Sequence, residues 1–287
     1  MSEPIVECEG LVHIYRSAEL EVVALQGLDL RVEPGEVVAI VGRSGSGKTT
    51  LMNVIAGVEA PSAGKARVGG YDLARMTEPE RDAYRQKVVG YVLQHSQANL
   101  AADLSAFENV LLPMSDRPVA ESLERANFLI EAMGISLLAA NYPSELSGGE
   151  AERLAVAIAM SNQPQLLLAD EPTAELDRAT ADGLLRDLRQ LLRVSGSAAV
   201  MVTHDASVER HADRVIQIRD GRTSTQTRWL EREGEVVADE LLIMDRAGRI
   251  QLPRAFVERL GARGLIRVHL EGDEIRLRRG DEESPHE

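Results

Sequence analysis

The chain has 287 residues and a formal net charge of −14, from 32 Lys and Arg against 46 Asp and Glu, and 44% of it is hydrophobic. That length suits one large domain, or a medium one with a small appendage, and excludes a disulfide-stapled mini-protein. The apolar share excludes wholesale disorder, and the acidic balance argues against nucleic-acid binding as the main task, because such a chain repels phosphate backbones unless a local basic patch intervenes. A single cysteine, Cys8, cannot form an intrachain disulfide. The Met-Ser-Glu-Pro start lacks the basic residues and apolar run of a signal peptide, so the cytosol is the expected compartment. No apolar run approaches the roughly 18 residues of a spanning helix, so any membrane role is expected to pass through a partner.

In chain order, Ile5 to Tyr15 and Glu21 to Val32 carry short, partly alternating apolar runs that predict antiparallel strands, followed by a turn at Pro34-Gly35. Val37 to Val41 is continuous and β-branched, as in a strand buried on both faces of a parallel sheet. Leu166 to Ala169 and Ala198 to Val202 repeat that pattern, ending at Asp170 and Thr203. Helical patterns lie at Ala151 to Met160 and Ala179 to Leu192, so the predicted architecture is α/β with crossover connections.

A composition shift after Asp220-Gly221-Arg222 predicts a linker over 223–238. Beyond it, Leu241 to Met244 and Arg249 to Leu252 predict short strands, Pro253 and Gly261 bracket a helix, and Leu265 to Leu270 with Glu274 to Leu277 predict a hairpin. The predicted domains are therefore 1–222, a linker, a small β-α-β-β unit over 239–280, and an acidic tail over 281–287.

Gly42-Arg43-Ser44-Gly45-Ser46-Gly47-Lys48-Thr49 matches G-x-x-x-x-G-K-[ST], directly after a predicted strand and before the helical pattern of Leu51, Val54 and Ile55. Gly42, Gly45 and Gly47 let backbone N–H groups converge on a β-phosphate. Lys48 reaches the β and γ oxygens, and the Thr49 hydroxyl suits a magnesium ion. Ser44, Ser46 and Thr50 complete the phosphate-binding candidates. Asp170, ending a buried strand, is the expected carboxylate behind the magnesium, and Glu171 the group that polarises an attacking water. His204 ends the next buried strand, at the carboxyl edge where ligands bind in such sheets, which makes it a catalytic candidate.

Leu146-Ser147-Gly148-Gly149-Glu150 is similar to the signature of ABC-type ATPases. With the loop at 42–49, Gln94 in Val92-Leu93-Gln94, the Asp170-Glu171 pair, Glu175-Leu176-Asp177 and His204, it makes an ordered set over residues 1 to about 222. Leu51-Met52-Asn53, Ser105 to Val110, Leu167 to Thr173 and Val202 to Asp205 resemble especially the LolD/MacB/FtsE branch. The resemblance implies a P-loop ABC fold with a mainly parallel core sheet, an antiparallel β subdomain and a helical subdomain. It also implies a head-to-tail homodimer enclosing two ATP molecules with Mg2+, driving a MacB/FtsX-like integral-membrane permease from the inner face of the plasma membrane. Under it Gln94 becomes a metal ligand and γ-phosphate sensor. Ser147, Gly148, Gly149 and Asp177 serve the nucleotide held by the other subunit, and Tyr15 stands in the place of the adenine-stacking aromatic, with a core tyrosine as the alternative. Two positions depart from the usual pattern: Arg43, and Glu150 in place of Gln. A carboxylate there weakens phosphate binding unless it points away or pairs, and Arg153, one turn on, is the expected partner.

Asp245 to Pro253 and Phe256 to Gly261 resemble AbrB/SpoVT-type domains over about 239–280. That resemblance implies a dimerisation or regulatory module, or a DNA contact through Arg246, Arg249, Arg254 and Arg259. Nine arginines against seven acids between Asp239 and Gly280 make a weak field for phosphate, so DNA is the disfavoured partner. A soluble ABC ATPase acting on nucleic acid is accordingly the alternative to the transport motor.

Overall fold

The computed structural model describes residues 3–17, 20–94, 100–232, 235–261, 266–272 and 274–279. Strands β1 (Val6–Arg16), β2 (Glu21–Val32), β4 (Ala63–Val68) and β5 (Tyr71–Asp72) form an antiparallel sheet in the order β2-β1-β4-β5. Between them, β3 (Val37–Val41) runs into the main sheet and is followed by α1 (Lys48–Ile55). Next come α2 (Glu78–Lys87), β6 (Val89–Val92), α3 (Ala106–Leu111), α4 (Val119–Ala132) and α5 (Gly148–Ala159). They lead to β7 (Leu166–Asp170), α6 (Arg178–Ser195), β8 (Ala198–Val202), α7 (Ala206–His211) and β9 (Arg214–Arg219). The main sheet, β11-β10-β9-β3-β8-β7-β6, is parallel from β9 to β6 and closes with an antiparallel hairpin, β10 (Arg222–Arg232) and β11 (Glu235–Leu242).

The continuous apolar strands are explained by two cores, one on each face of this sheet. Ala39, Leu167, Ala169, Ala199 and Met201 point to the face covered by α3 to α6. Their alternates Val38, Ile40, Leu166, Leu168 and Val200 point to the face covered by α1 and the antiparallel sheet. With both faces dry, no position can be polar, and the period-two signal disappears from the sequence. All the parallel strands therefore finish at one edge, which is where β3, β7 and β8 deliver the candidate site.

The stretch 223–238 is a correction to the sequence reading, because it is no linker. Within the described residues it forms most of β10 and the start of β11, paired in register from Thr225↔Leu242 to Arg232↔Glu235. Thr223, Ser224 and Thr225 are buried: short hydroxyl side chains, two of them β-branched, pack on a sheet as readily as apolar ones, and their polarity only mimics a loop. Further on, Met244 and Ile250 make an isolated antiparallel bridge in place of two full strands. The expected helix is α8 (Arg254–Leu260), with Pro253 at its N-cap and Gly261 closing it at φ 60°. The expected hairpin is β12 (Ile266–Glu271) with β13 (Glu274–Arg279). The acidic tail and residue 265 lie outside the described residues. Among the described residues no helix is long and apolar enough to cross a membrane.

Candidate functional site

The β3–α1 loop wraps a cleft of about 750 Å3. Gly42, Ser44, Gly45, Gly47, Lys48, Thr49 and Thr50 line it, and Tyr15, Gln94, Asp170, Glu171 and His204 face it from other elements. The glycines are there for space. A Cβ on Gly42 would lie 2.4 Å from the Ile218 carbonyl oxygen, and one on Gly47, at φ 103°, would lie 2.6 Å from that of Ala24. Gly47 is also the N-cap of α1, so the loop turns directly into a helix whose first N–H groups have no helical partner. Lys48 Nζ donates to the carbonyls of Gly42 (2.8 Å) and Arg43 (3.1 Å), which tethers the ammonium over the loop. Ser46 departs from expectation. It does not line the cleft; it is buried beneath the loop, where its Oγ has no hydrogen-bond partner.

At the carboxyl edge of β7, burial and the neighbouring Glu171 charge hold the Asp170 carboxyl above its ordinary range, while Lys48 pulls it down. Burial and the Asp170 charge also push the Tyr91 phenol up to about 12, so it stays a neutral hydroxyl beside that acid. Glu171 adopts φ 53°, a left-handed conformation uncommon for a side chain of this size, and its N–H donates to the Val202 carbonyl at 2.9 Å. The strained turn before Pro172 brings Glu171 Oε2 to 2.6 Å from His204 Nδ1. Backbone strain of this kind is tolerated where function requires it.

Ser147, Gly148, Gly149 and Asp177 are not brought to this cleft. They line a separate recess of about 320 Å3 with Glu150, Arg153, Glu175, Leu176 and Thr180. Both polar members are helix caps. Ser147 caps α5, and Asp177 caps α6, accepting from Ala179 N (3.0 Å), Thr180 N (3.2 Å) and Thr180 Oγ1 (2.5 Å). Hydrogen bonds from Ser147 hold the Glu150 carboxyl below its ordinary range, and those from Thr180 do the same for Asp177. The expected Glu150–Arg153 pair is not formed. Glu150 Oε2 accepts from Ser147 Oγ (2.6 Å) and Ser147 N (2.8 Å), while Arg153 pairs with Asp187 at 2.6 Å. The reason was local and readable: Ser147-x-x-Glu150 is a capping box. The helix also starts at Gly148, so both glycines sit in its first turn rather than ahead of it.

The residues of the cleft fit a nucleoside triphosphate with a divalent cation. The loop glycines leave the backbone of the β3–α1 turn uncovered toward the cleft, the Lys48 ammonium lies over it, and Thr49, Gln94 and Asp170 offer the oxygen donors a hard cation prefers. Sequence reasoning missed Val22, Val23 and Ala24 of β2, which wall the cleft near Tyr15, while Arg43 of the loop also lines it. Nothing local in the sequence marks the β2 residues as cleft-lining; the structure shows Val22 46% and Val23 45% exposed on that strand.

The chain matches the model of the ABC transporter family over residues 25–174. It is 41% identical over 230 residues to a macrolide export ATP-binding/permease protein, MacB, of Sodalis glossinidius, a match covering 79% of this chain and 35% of that protein. The chain thus spans about a third of the length of such MacB relatives. It is also 41% identical to the lipoprotein-releasing system ATP-binding protein LolD of Chromohalobacter salexigens, over 78% of this chain and 94% of that one. Among solved structures, a dimeric post-hydrolysis state of the ATP-binding cassette MJ0796 bound to ADP and Pi superposes with a TM-score of 0.71 at 32% identity, covering 78% of this chain and 98% of that one. The chain belongs to the ABC transporter family and carries that family's ATPase cassette.

Proposed function

We propose that this cassette is the ATP-hydrolysing motor of a membrane transport or mechanotransmission complex, closing as a homodimer around two ATP molecules to drive a MacB/FtsX-like permease. The observation that supports the reading is that the motif residues fall into two separate concavities of one chain. The loop, Asp170, Glu171 and His204 share one cleft, while Ser147, Gly148, Gly149 and Asp177 line another recess. Two chains related head to tail would complete both sites, with the N-terminus of α5 presenting its free N–H groups and positive dipole end to the partner's γ-phosphate.

In this reading Lys48 and the loop amides bind the β and γ phosphates, and Thr49 and Gln94 hold Mg2+ with Asp170 behind them. The bound cation would neutralise charge building up on the transferred phosphoryl group. Glu171 accepts the proton of the attacking water, and His204, with its proton on Nδ1, keeps the Glu171 carboxylate at the cleft edge.

The surface between Gln94 and Leu112 is the proposed permease contact, of which residues 95–99 lie outside the described residues. Support comes from a groove of about 300 Å3 lined by Glu108, Leu111, Leu112, Val119 and Leu123, in which Leu112 is 55% and Val119 74% exposed. The chain would then work on the cytoplasmic face of the inner membrane. For the C-terminal segment we keep the AbrB-like reading, as a module that pairs with its twin. DNA remains disfavoured, since Arg246 is engaged by Glu9 (2.9 Å) and Arg249 by Asp245 (2.8 Å). The test is nucleotide binding and sedimentation of Lys48→Ala beside the wild type. ATP should bind the wild type and drive it to a dimer, and the variant should do neither. A wild type that stays monomeric with saturating ATP and magnesium refutes the reading.

A further inference from the structure

The aromatic wall of the cleft has a support outside the phosphate loop and the strand ends. Tyr15 is 40% exposed and lines the cleft, but its hydroxyl is turned inward, donating to Glu59 Oε2 at 2.8 Å and lying 3.3 Å from Thr50 Oγ1. The same Glu59 oxygen lies 3.0 Å from Nε2 of His13, which is 7% exposed. The second oxygen, Oε1, accepts from Asn53 Nδ2 at 3.1 Å, and Asn53 belongs to α1. The His13 and Tyr15 rings also meet edge to face, with centroids 4.7 Å apart at 71°. Nδ1 of His13 is buried without a partner, and Nε2 faces the Glu59 carboxylate, which can only accept, so His13 donates to Glu59 through Nε2.

One carboxylate therefore gathers three donors from two elements, His13 and Tyr15 of β1 and Asn53 of α1. A tyrosine held only at its Cβ swings about χ1 and χ2. Held also at its hydroxyl by a carboxylate that is itself oriented by His13 and Asn53, it presents a fixed ring plane. The second contact of its hydroxyl, Thr50, sits next to Thr49 in α1, so the ring is indexed to the phosphate loop.

We infer that His13 and Glu59 are positioning residues for Tyr15, fixing its ring as the platform for the nucleoside end of the ligand and leaving the triphosphate end untouched. This rests on the nucleotide reading of the cleft. It predicts that disrupting the relay weakens ligands that have a base and spares those that lack one. Fixing a ring in advance saves the ordering cost otherwise met on binding, and each lost charged hydrogen bond is worth about a factor of ten.

The experiment measures the dissociation constants of the full-length chain for ATP and for inorganic tripolyphosphate, both with magnesium, in the wild type and in His13→Leu, His13→Gln, Tyr15→Phe and the double variant His13→Leu/Tyr15→Phe. Leucine fills space without donating, whereas glutamine restores an N–H donor. Thermal melts identify folded variants, and Tyr15→Phe, which deletes only the hydroxyl, serves should His13→Leu not fold. We expect His13→Leu and Tyr15→Phe each to weaken ATP about five- to tenfold and tripolyphosphate less than about twofold. His13→Gln should recover ATP affinity to within about twofold, and the double variant should be no weaker than either single one, because both cut the same relay. Equal loss of both ligands, or ATP affinity unchanged in the two single variants, overturns the proposal while leaving the nucleotide reading intact. A wild type that binds neither ligand overturns both.

Discussion

Replacing Glu171 by glutamine separates chemistry from binding and from folding. The amide preserves size and planarity but cannot take a proton, and loss of a positioned base costs about 10²- to 10⁴-fold in rate, or about 2.7–5.4 kcal/mol of barrier. The cost in stability is far smaller. The His204 side chain is 72% exposed, so its pair with Glu171 is worth at most about 1 kcal/mol, and the strain of φ 53° is shared by both side chains. In a domain of this size 1 kcal/mol shifts the melting temperature by roughly 2–4 °C. The expected variant binds ATP with near wild-type affinity, melts within that range, and accumulates as an ATP-bound dimer in sedimentation while steady-state phosphate release falls at least about a hundredfold. Turnover within about a factor of two of the wild type would refute the assignment of Glu171 as the base. A melting point lowered by ten degrees or so would instead make Glu171 a structural residue.

Glu36→Ala tests the junction of the two sheets. Arg214, 9% exposed, donates to Glu36 Oε1 (2.8 Å) and Oε2 (3.0 Å), to Gln226 (2.9 Å) and to the Arg31 carbonyl, so removing Glu36 strands a buried cation at a cost of about 3–5 kcal/mol in urea unfolding. Glu150→Ala removes the N3 half of the α5 capping box and a first-turn carboxylate, leaving the Ser147 cap, and should cost about 0.3–1 kcal/mol at pH 7. Because the Glu150 carboxyl is held below its ordinary value, its contribution is present above the ordinary glutamate range and lost as the pH falls through the lowered one, so the gap between wild type and variant in denaturant unfolding narrows on acidification. Burial, with the charges of Asp29 and Glu7, pushes the Cys8 thiol up to about 12, so a thiol reagent at pH 8 should label the chain only as fast as it unfolds. Truncation must follow Ile243 rather than Arg222, since β10 and β11 belong to the main sheet. It should leave an active cassette whose nucleotide-free dimer dissociates more readily in sedimentation, because the proposed pairing would cover the exposed Val268, Leu270 and Ile275 of the last hairpin with a second copy and the truncation removes it.

What was legible in the sequence was whatever local chemistry dictates. The loop at 42–49 needs glycines where no Cβ fits and a lysine at the helix start, so its composition alone reveals it. Val37–Val41, Leu166–Asp170 and Ala198–Val202 are buried on both faces, which forces unbroken apolar runs and identifies a parallel sheet before any coordinates. The capping box at Ser147 and Glu150 was equally local, since Ser147 and the expected partner Arg153 stand at the same three-residue spacing from Glu150 and only Ser147 is at a helix N-cap. Other features depend on long-range pairing. β10 could not be recognised because its buried face carries threonine and serine, and only its register with β9 distinguishes a strand from a polar connection. The approach of His204 to Glu171 joins the ends of two adjacent parallel strands, and the meeting of His13 and Tyr15 with Glu59 and Asn53 joins β1 to α1 and the turn after it. Sequence patterns record which face of its own element a residue occupies; which residue from another element it meets is set by how the two sheets pack, and that is known only once the chain is folded.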